Sequence, residues 1–276
     1  MTFKLIKSHN AIIKLIDRYD YGGALEILQE MDLKNTDEAI MIKSCKYAVN
    51  FDFNTSYYIL NSLSEEKRNH KIVLKLIENL KALIEGEPQA LFSELINNIK
   101  FQIVNEEYID FLGRIYRFKE AILKYIFVKE HLNRNKFSFL IDAMSKRRIL
   151  KILRKKYKIY NPNLIYGISI YINKYVDYKT NYVEIVKLLN SEKMRSLMEL
   201  RHNSIVGHGF RGVSREDIVK VYGNPYNIID DFKYCLNLLN INVMDNKYNI
   251  INDFLKRELN CINYDNNKSK YVNEMA

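Results

Sequence analysis

Only three prolines and nine glycines are spread over 276 residues, so the chain has few points at which it can be broken into short strands and tight turns. That is far too few for a loop-rich β sandwich or barrel. Leu, Ile, Lys, Glu and Asn instead fill long stretches at helical period, and the expected fold class is all-α. The apolar fraction of 47% is enough to bury a real core, and the length suits one large domain or two modest ones.

The first part of the chain contains a repeat. Tyr19-Asp20-Tyr21-Gly22-Gly23-Ala24-Leu25-Glu26-Ile27-Leu28 aligns with Phe51-Asp52-Phe53-Asn54-Thr55-Ser56-Tyr57-Tyr58-Ile59-Leu60, 32 residues later. Each copy follows an amphipathic stretch, Ala11 to Arg18 and Ala39 to Val49. The unit reads as a helix, a turn and a second helix. Glu85-Gly86-Glu87-Pro88 then supplies a glycine that can end one helix and a proline suited to the first turn of the next. We therefore expect a helical-hairpin domain over residues 1–86 and a second helical domain over 88–264. Within the second, helices are predicted at 88–104, 105–131, 135–157, 164–176, 182–203, 214–222, 226–240 and 246–262. The polar residues 265–276 are expected to form a flexible tail.

Several functional classes lack support. Cys45, Cys235 and Cys261 form neither C-x-x-C nor a Cys/His quartet, so neither structural zinc nor a disulfide framework is expected, and the sequence suggests no metal and no cofactor. The first twenty residues have no apolar signal core, and no eighteen uncharged apolar residues run together; a cytoplasmic protein without membrane contact is expected. No G-x-S-x-G, P-loop, H-E-x-x-H or EF-hand pattern occurs. His9, His70 and His131 lack metal-like spacing and read as surface histidines. The 21 tyrosines sit mostly at helical spacing, as core and interface residues do.

Two segments point to nucleic acid. A net charge of +10 favours polyanions in general, because lysine and arginine release counterions condensed on phosphates. Within it, Lys146, Arg147, Arg148, Lys151, Arg154 and Lys155, continued by Lys156 and Lys158, surround a narrow Ile149/Ile152/Leu153 stripe with no acid between them. Such a face suits a phosphate backbone, and equally a solvated helix surface.

The second segment is Met198-Glu199-Leu200-Arg201-His202-Asn203-Ser204-Ile205-Val206-Gly207-His208-Gly209-Phe210. Gly207 and Gly209 bracket His208 and would let the chain leave a helix there. Nearly two helical turns would place Arg201 and His208 on one side, about 10 Å apart along the axis. Arg195 and His202 have the same spacing but lie inside a continuous helical pattern.

These residues resemble the Arg-x(4–6)-His motif of HEPN ribonucleases, most closely in the C-terminal nuclease domains of the Csm/Csx ancillary effectors of type III CRISPR systems. There, Ser-Ile and His-Gly-Phe surround the same pair, and the stretch at Tyr19 is similar to the helical domain that precedes the nuclease in that group. Six residues separate Arg201 from His208, at the long end of the family range, and His202 occupies the place of the usual polar residue. The resemblance implies a HEPN helical bundle that cleaves single-stranded RNA without metal, as a homodimer in which two Arg/His pairs share a cleft. It assigns Arg201 to the phosphoryl oxygens and His208 to proton transfer, with Asn203 and Ser204 orienting or contacting the RNA backbone. The Rossmann-like sensor of cyclic oligoadenylates found in those effectors has no counterpart in this pattern, which leaves restraint to a partner chain such as a separate sensor or antitoxin, to a lost sensor domain, or to modification near the site. The alternatives are a HEPN toxin of a toxin–antitoxin pair, or a non-catalytic helical adaptor for nucleic acid or a partner protein.

Overall fold

The computed structural model describes residues 2–132, 145–176 and 180–273. Every element among them is helical. In chain order these are α1 (Thr2–Asp17), α2 (Tyr21–Glu30), α3 (Asp37–Val49), α4 (Phe53–Leu60), α5 (Glu65–Arg68), α6 (Lys71–Ile84), α7 (Pro88–Val104) and α8 (Tyr108–Leu132). They continue with α9 (Lys146–Tyr157), α10 (Leu164–Tyr175), α11 (Thr180–Leu189), α12 (Glu192–Asn203), α13 (Arg215–Tyr222), α14 (Pro225–Leu238) and α15 (Lys247–Asn273). No helix among the described residues is long and apolar enough to cross a membrane.

The helices form two compact units, one made of residues 1–84 with 246–276 and the other of residues 85–245. The sequence expectation placed the C-terminal helix in the second domain. Instead, α15 packs against α1, α3 and α6 of the first unit. It also runs on to Asn273, so residues 265–273, expected as a tail, are helical.

In the first unit the sequence repeat is a repeat of geometry. Tyr19 and Phe51 both adopt left-handed φ values, 60° and 65°, a conformation that costs an aromatic residue about 1–2 kcal/mol. The following aspartates offset this by capping the next helix: Asp20 accepts from the Gly23 N–H at 2.9 Å and Asp52 from the Thr55 N–H at 3.1 Å, each cap worth about 1 kcal/mol. Between α3 and α4, Ser44 and Ser56 exchange buried hydroxyl contacts, 2.8 Å apart at Oγ. α15 is fixed to α1 and α2 by Asn252, whose Nδ2 donates to the Ile16 carbonyl at 2.7 Å while its Oδ1 accepts from the Tyr21 hydroxyl at 2.8 Å.

The second unit is built around α8, which touches α7, α10, α11 and α12. Its Phe111, Ile115, Phe118 and Ile122 are fully buried, and Phe118 stacks on Phe232 of α14 with ring centroids 4.2 Å apart. Each such side chain contributes about 1.5–3 kcal/mol of burial. The expected helix over 105–131 begins later because Glu106 takes φ 59°, and the Glu107 N–H closes back on Gln102 O at 2.9 Å. The expected single helix over 182–203 is two, since Ser191 caps α12 by accepting from the Met194 N–H. The expected helix start at 135 lies outside the described residues.

Candidate active site

α12 carries the candidate segment. Met194, Leu197 and Leu200 are buried and set the helix against α8 and α13. Arg195, Met198, Glu199 and His202, at spacings of three and four, fall on another face, and all four line a cleft of about 450 Å³. Arg201 and His208 line the same cleft. The lesser sequence pair, Arg195 and His202, is thus brought together with the favoured pair.

The route by which His208 arrives differs from the sequence expectation. α12 stops at Asn203, and Ser204 caps it in an extended conformation, φ −94° and ψ 172°. The loop then folds back over the helix end. The His208 N–H donates to His202 O at 2.9 Å, the Gly207 N–H to Ser204 O at 2.9 Å and the Arg211 N–H to Asn203 O at 3.0 Å. Carbonyls that a helix C-terminus leaves without partners are satisfied in this way. The glycines are required by contact, not by backbone angle: a Cβ on Gly207 would lie 2.4 Å from Arg201 O and His202 O, and one on Gly209 would lie 2.1 Å from Asn203 O. Arg201 and His208 therefore do not share a continuous helix. The fold-back brings the His208 ring edge-on to His202, centroids 5.0 Å apart.

Arg201 has its guanidinium carbon 4.3 Å above the Tyr116 ring of α8, an arrangement that holds the cation by the ring's negative face. Its Nε is buried without a hydrogen-bond partner. One helical turn beyond Tyr116, Lys119 also lines the cleft and is only 4% exposed. Burial, and then the neighbouring Arg195 charge, lower its pKa to about 8. Its neighbour Glu120 pairs elsewhere, with Lys124 at 2.6 Å and Arg117 at 3.1 Å. Lys119 and Tyr116 are the residues that sequence reasoning missed, and Arg195 is one that it set aside. A signal existed for Lys119, which stands where the Ile115/Ile122 stripe calls for an apolar residue.

No family model, curated protein or solved structure matches the chain. The cleft must therefore be read from its own chemistry. It offers three cations, two imidazoles and one carboxylate, that of Glu199, a set suited to an anionic ligand with a transferable proton. Among the described residues, no three His, Cys, Asp or Glu side chains are grouped so as to hold a metal ion.

The other candidates are placed as follows. Asn203 is exposed and outside the cleft lining. Ser204, expected to contact RNA, is fully buried, and its hydroxyl donates to Arg201 O at 2.8 Å; its work is to end the helix. Lys146, Arg147, Arg148, Lys151, Arg154 and Lys155 are all exposed on α9 around buried Ile149 and Leu153. None of them takes part in the ion pairs found among the described residues. Arg147, Lys151, Arg154 and Lys155 border a depression of about 340 Å³. α9 packs on α10, whose Ile165 and Tyr166 line the cleft.

Of the histidines read as surface residues, His131 is half-buried. Its Nδ1 lies 2.7 Å from the Tyr157 hydroxyl and its ring stacks on Phe127. Burial, then the Lys156 charge, lower its pKa. Residues 85–245 hold 26 Lys and Arg against 18 Asp and Glu, so +8 of the +10 resides in the unit that contains the cleft and α9.

Proposed function

We propose that this cleft is the active site of a metal-independent endoribonuclease of the HEPN type, which cuts single-stranded RNA in CRISPR-associated antiviral defence. The observation that supports it is the convergence of Arg201, His202 and His208, with the two rings 5.0 Å apart in one cleft. RNA carries its own nucleophile. One imidazole takes the proton of the 2′-hydroxyl as that oxygen attacks phosphorus; the 5′-oxygen leaves with a proton from an acid, and the products are a 2′,3′-cyclic phosphate and a 5′-hydroxyl. Histidine gives and takes protons near neutrality, and a guanidinium steadies charge building on the phosphoryl oxygens. His208 is the proton-transfer group at Arg201, and His202 beside it lets a single chain offer both an acid and a base.

A homodimer fits the same reading. Ile205 and Phe210 are 68% and 93% exposed on the loop that carries His208, and a second copy would cover them. Arg147, Lys151 and their neighbours on α9 extend the path for the RNA backbone.

Purified protein is expected to cleave single-stranded RNA in excess EDTA, with Arg201→Ala or His208→Ala lowering the rate by about a hundredfold or more. Equal cleavage by wild type and both variants would remove the nuclease reading. Tight, salt-sensitive RNA binding without cleavage would favour the adaptor reading, with the exposed cations of α9 as its contact surface.

A further inference from the structure

Lys119 stands out from every other buried charge in the second unit. It sits on α8, 4% exposed, and no carboxylate among the described residues pairs with it. Buried ammonium groups are tolerated when partnered, and an unpartnered one lowers stability. In a cleft, such a group is a candidate to meet an anionic ligand. Its only large neighbour in charge is Arg195, of its own sign. Arg201 lies over Tyr116, one turn of α8 away, and its Nε also lacks an acceptor. Arg195 and Arg201 are six residues apart on α12, or about 9 Å along its axis. The cleft thus has two cationic stations, Lys119 with Arg195, and Arg201 with His208.

One phosphodiester carries a single negative charge, and Glu199 is the one carboxylate lining the cleft. Three cations exceed what these two charges balance. We propose that Lys119 and Arg195 form a second phosphate subsite, which holds the phosphodiester adjoining the one at Arg201 and His208, so that the ligand of the cleft is a strand with consecutive phosphates and not a mononucleotide. The proposal rests on the reading of the cleft as a nucleic-acid site.

Lys119 shares the cleft with Tyr116 of its own helix, with Arg195, Glu199, Arg201 and His202 of α12, with His208 of the loop and with Tyr166 of α10, and Arg195 is the charge that acts on it. With a pKa near 8, a fraction of the free lysine is neutral in mildly alkaline solution. An arriving phosphate favours the ammonium, so binding takes up a proton.

The test uses deoxythymidine oligonucleotides, which lack the 2′-hydroxyl and are not consumed: a dinucleotide with one phosphodiester and a trinucleotide with two. Calorimetry at pH 8.5 in buffers of different ionisation enthalpy reads both affinity and proton uptake. The full chain is expected to bind the trinucleotide about tenfold or more tightly than the dinucleotide, with proton uptake, since each charge-assisted contact strengthens binding on that scale. Lys119→Met, which keeps the volume and removes the charge, is expected to bring that ratio to about one. Lys119→Arg is expected to keep the ratio and abolish the uptake. The same ratio in wild type and Lys119→Met, an absence of uptake by wild type, or no trinucleotide binding would each overturn the subsite. A Lys119-dependent ratio in a protein that fails to cut RNA would retain the subsite and remove the nuclease reading; RNA cleavage without that ratio would do the reverse.

Discussion

Two lysines, one in each unit, leave water on opposite terms. In the first unit burial alone would lower the Lys67 pKa, but the hydrogen bond and charge of Glu258, joined by Glu38, outweigh it and raise the pKa above 10.5. In the second unit burial lowers the Lys119 pKa to about 8, and Arg195 acts in the same direction. The same contrast holds for hydrogen bonding. Asn252, Tyr21, Ser44 and Ser56 are buried and mutually satisfied, whereas Arg201 Nε in the cleft has no acceptor. Burial with partners holds a unit together; burial without partners in a cleft leaves a charge or donor open to a ligand.

The alkaline stability profile should separate the two lysines most widely. Because the folded pKa of Lys119 lies below its unfolded value, the native state binds fewer protons between about pH 8 and 10.5. Stability from this residue therefore rises with pH across that window, and the penalty is present in full below it. A depression from 10.5 to about 8 corresponds to about 3 kcal/mol at neutral pH. Lys119→Met should gain up to that amount in denaturant titrations and flatten the slope. A loss of stability would mean that Lys119 is already compensated.

The loop is the next point of attack. Gly209→Ala forces a Cβ to within 2.1 Å of Asn203 O, and the backbone must move. Misplacement of a catalytic group by about 1 Å lowers rates by about a hundredfold. We expect that loss in the RNA assay with an unchanged circular dichroism spectrum; undiminished cleavage would detach His208 from the chemistry.

Lys67→Met should act oppositely to Lys119→Met. It leaves Glu38, only 7% exposed, without its cation, and should destabilise by about 2 kcal/mol. The contribution of Lys67 is complete below pH 10.5 and fades as pH rises through its raised pKa. Lysine substitutions of the same sign in both units would erase the comparison. The smallest effect belongs to Tyr116→Leu, which removes the ring under Arg201. A contact of this kind is worth about 1 kcal/mol, so cleavage should fall by about fivefold, read mainly as a higher KM.

Local signals in the sequence were strong where the chemistry was local. The repeat at Tyr19 and Phe51, the Gly86/Pro88 break and the apolar period of α7, α10, α13 and α14 were all legible, because turns and helical faces depend on residues within one or two turns. The membership of α15 was not. Its apolar face fits any groove of suitable shape, and only Asn252 meeting Ile16 and Tyr21 across more than 230 residues decided the choice. The spacing of Arg201 and His208 drew attention to a segment that does line one cleft, but for a reason that the structure replaces. The glycines serve a close crossing over the end of α12, not an exit from a longer helix, and Ser204, read as a contact for RNA, is the buried residue that stops the helix. Lys119 lies 82 residues before Arg201 in the chain, and no periodicity links the two.

The sequence by itself determined an all-helical chain, its hairpin repeat and the Arg201/His208 segment as a candidate, because helix propensity, turn chemistry and side-chain chemistry are properties of residues and their near neighbours. The tertiary structure alone decided that Lys119, Arg195, Arg201, His202 and His208 share one cleft. Their convergence depends on α8 and α12 packing side by side and on a loop folding back within 2–3 Å of backbone carbonyls, and long-range packing of that kind leaves no mark in spacing along the chain.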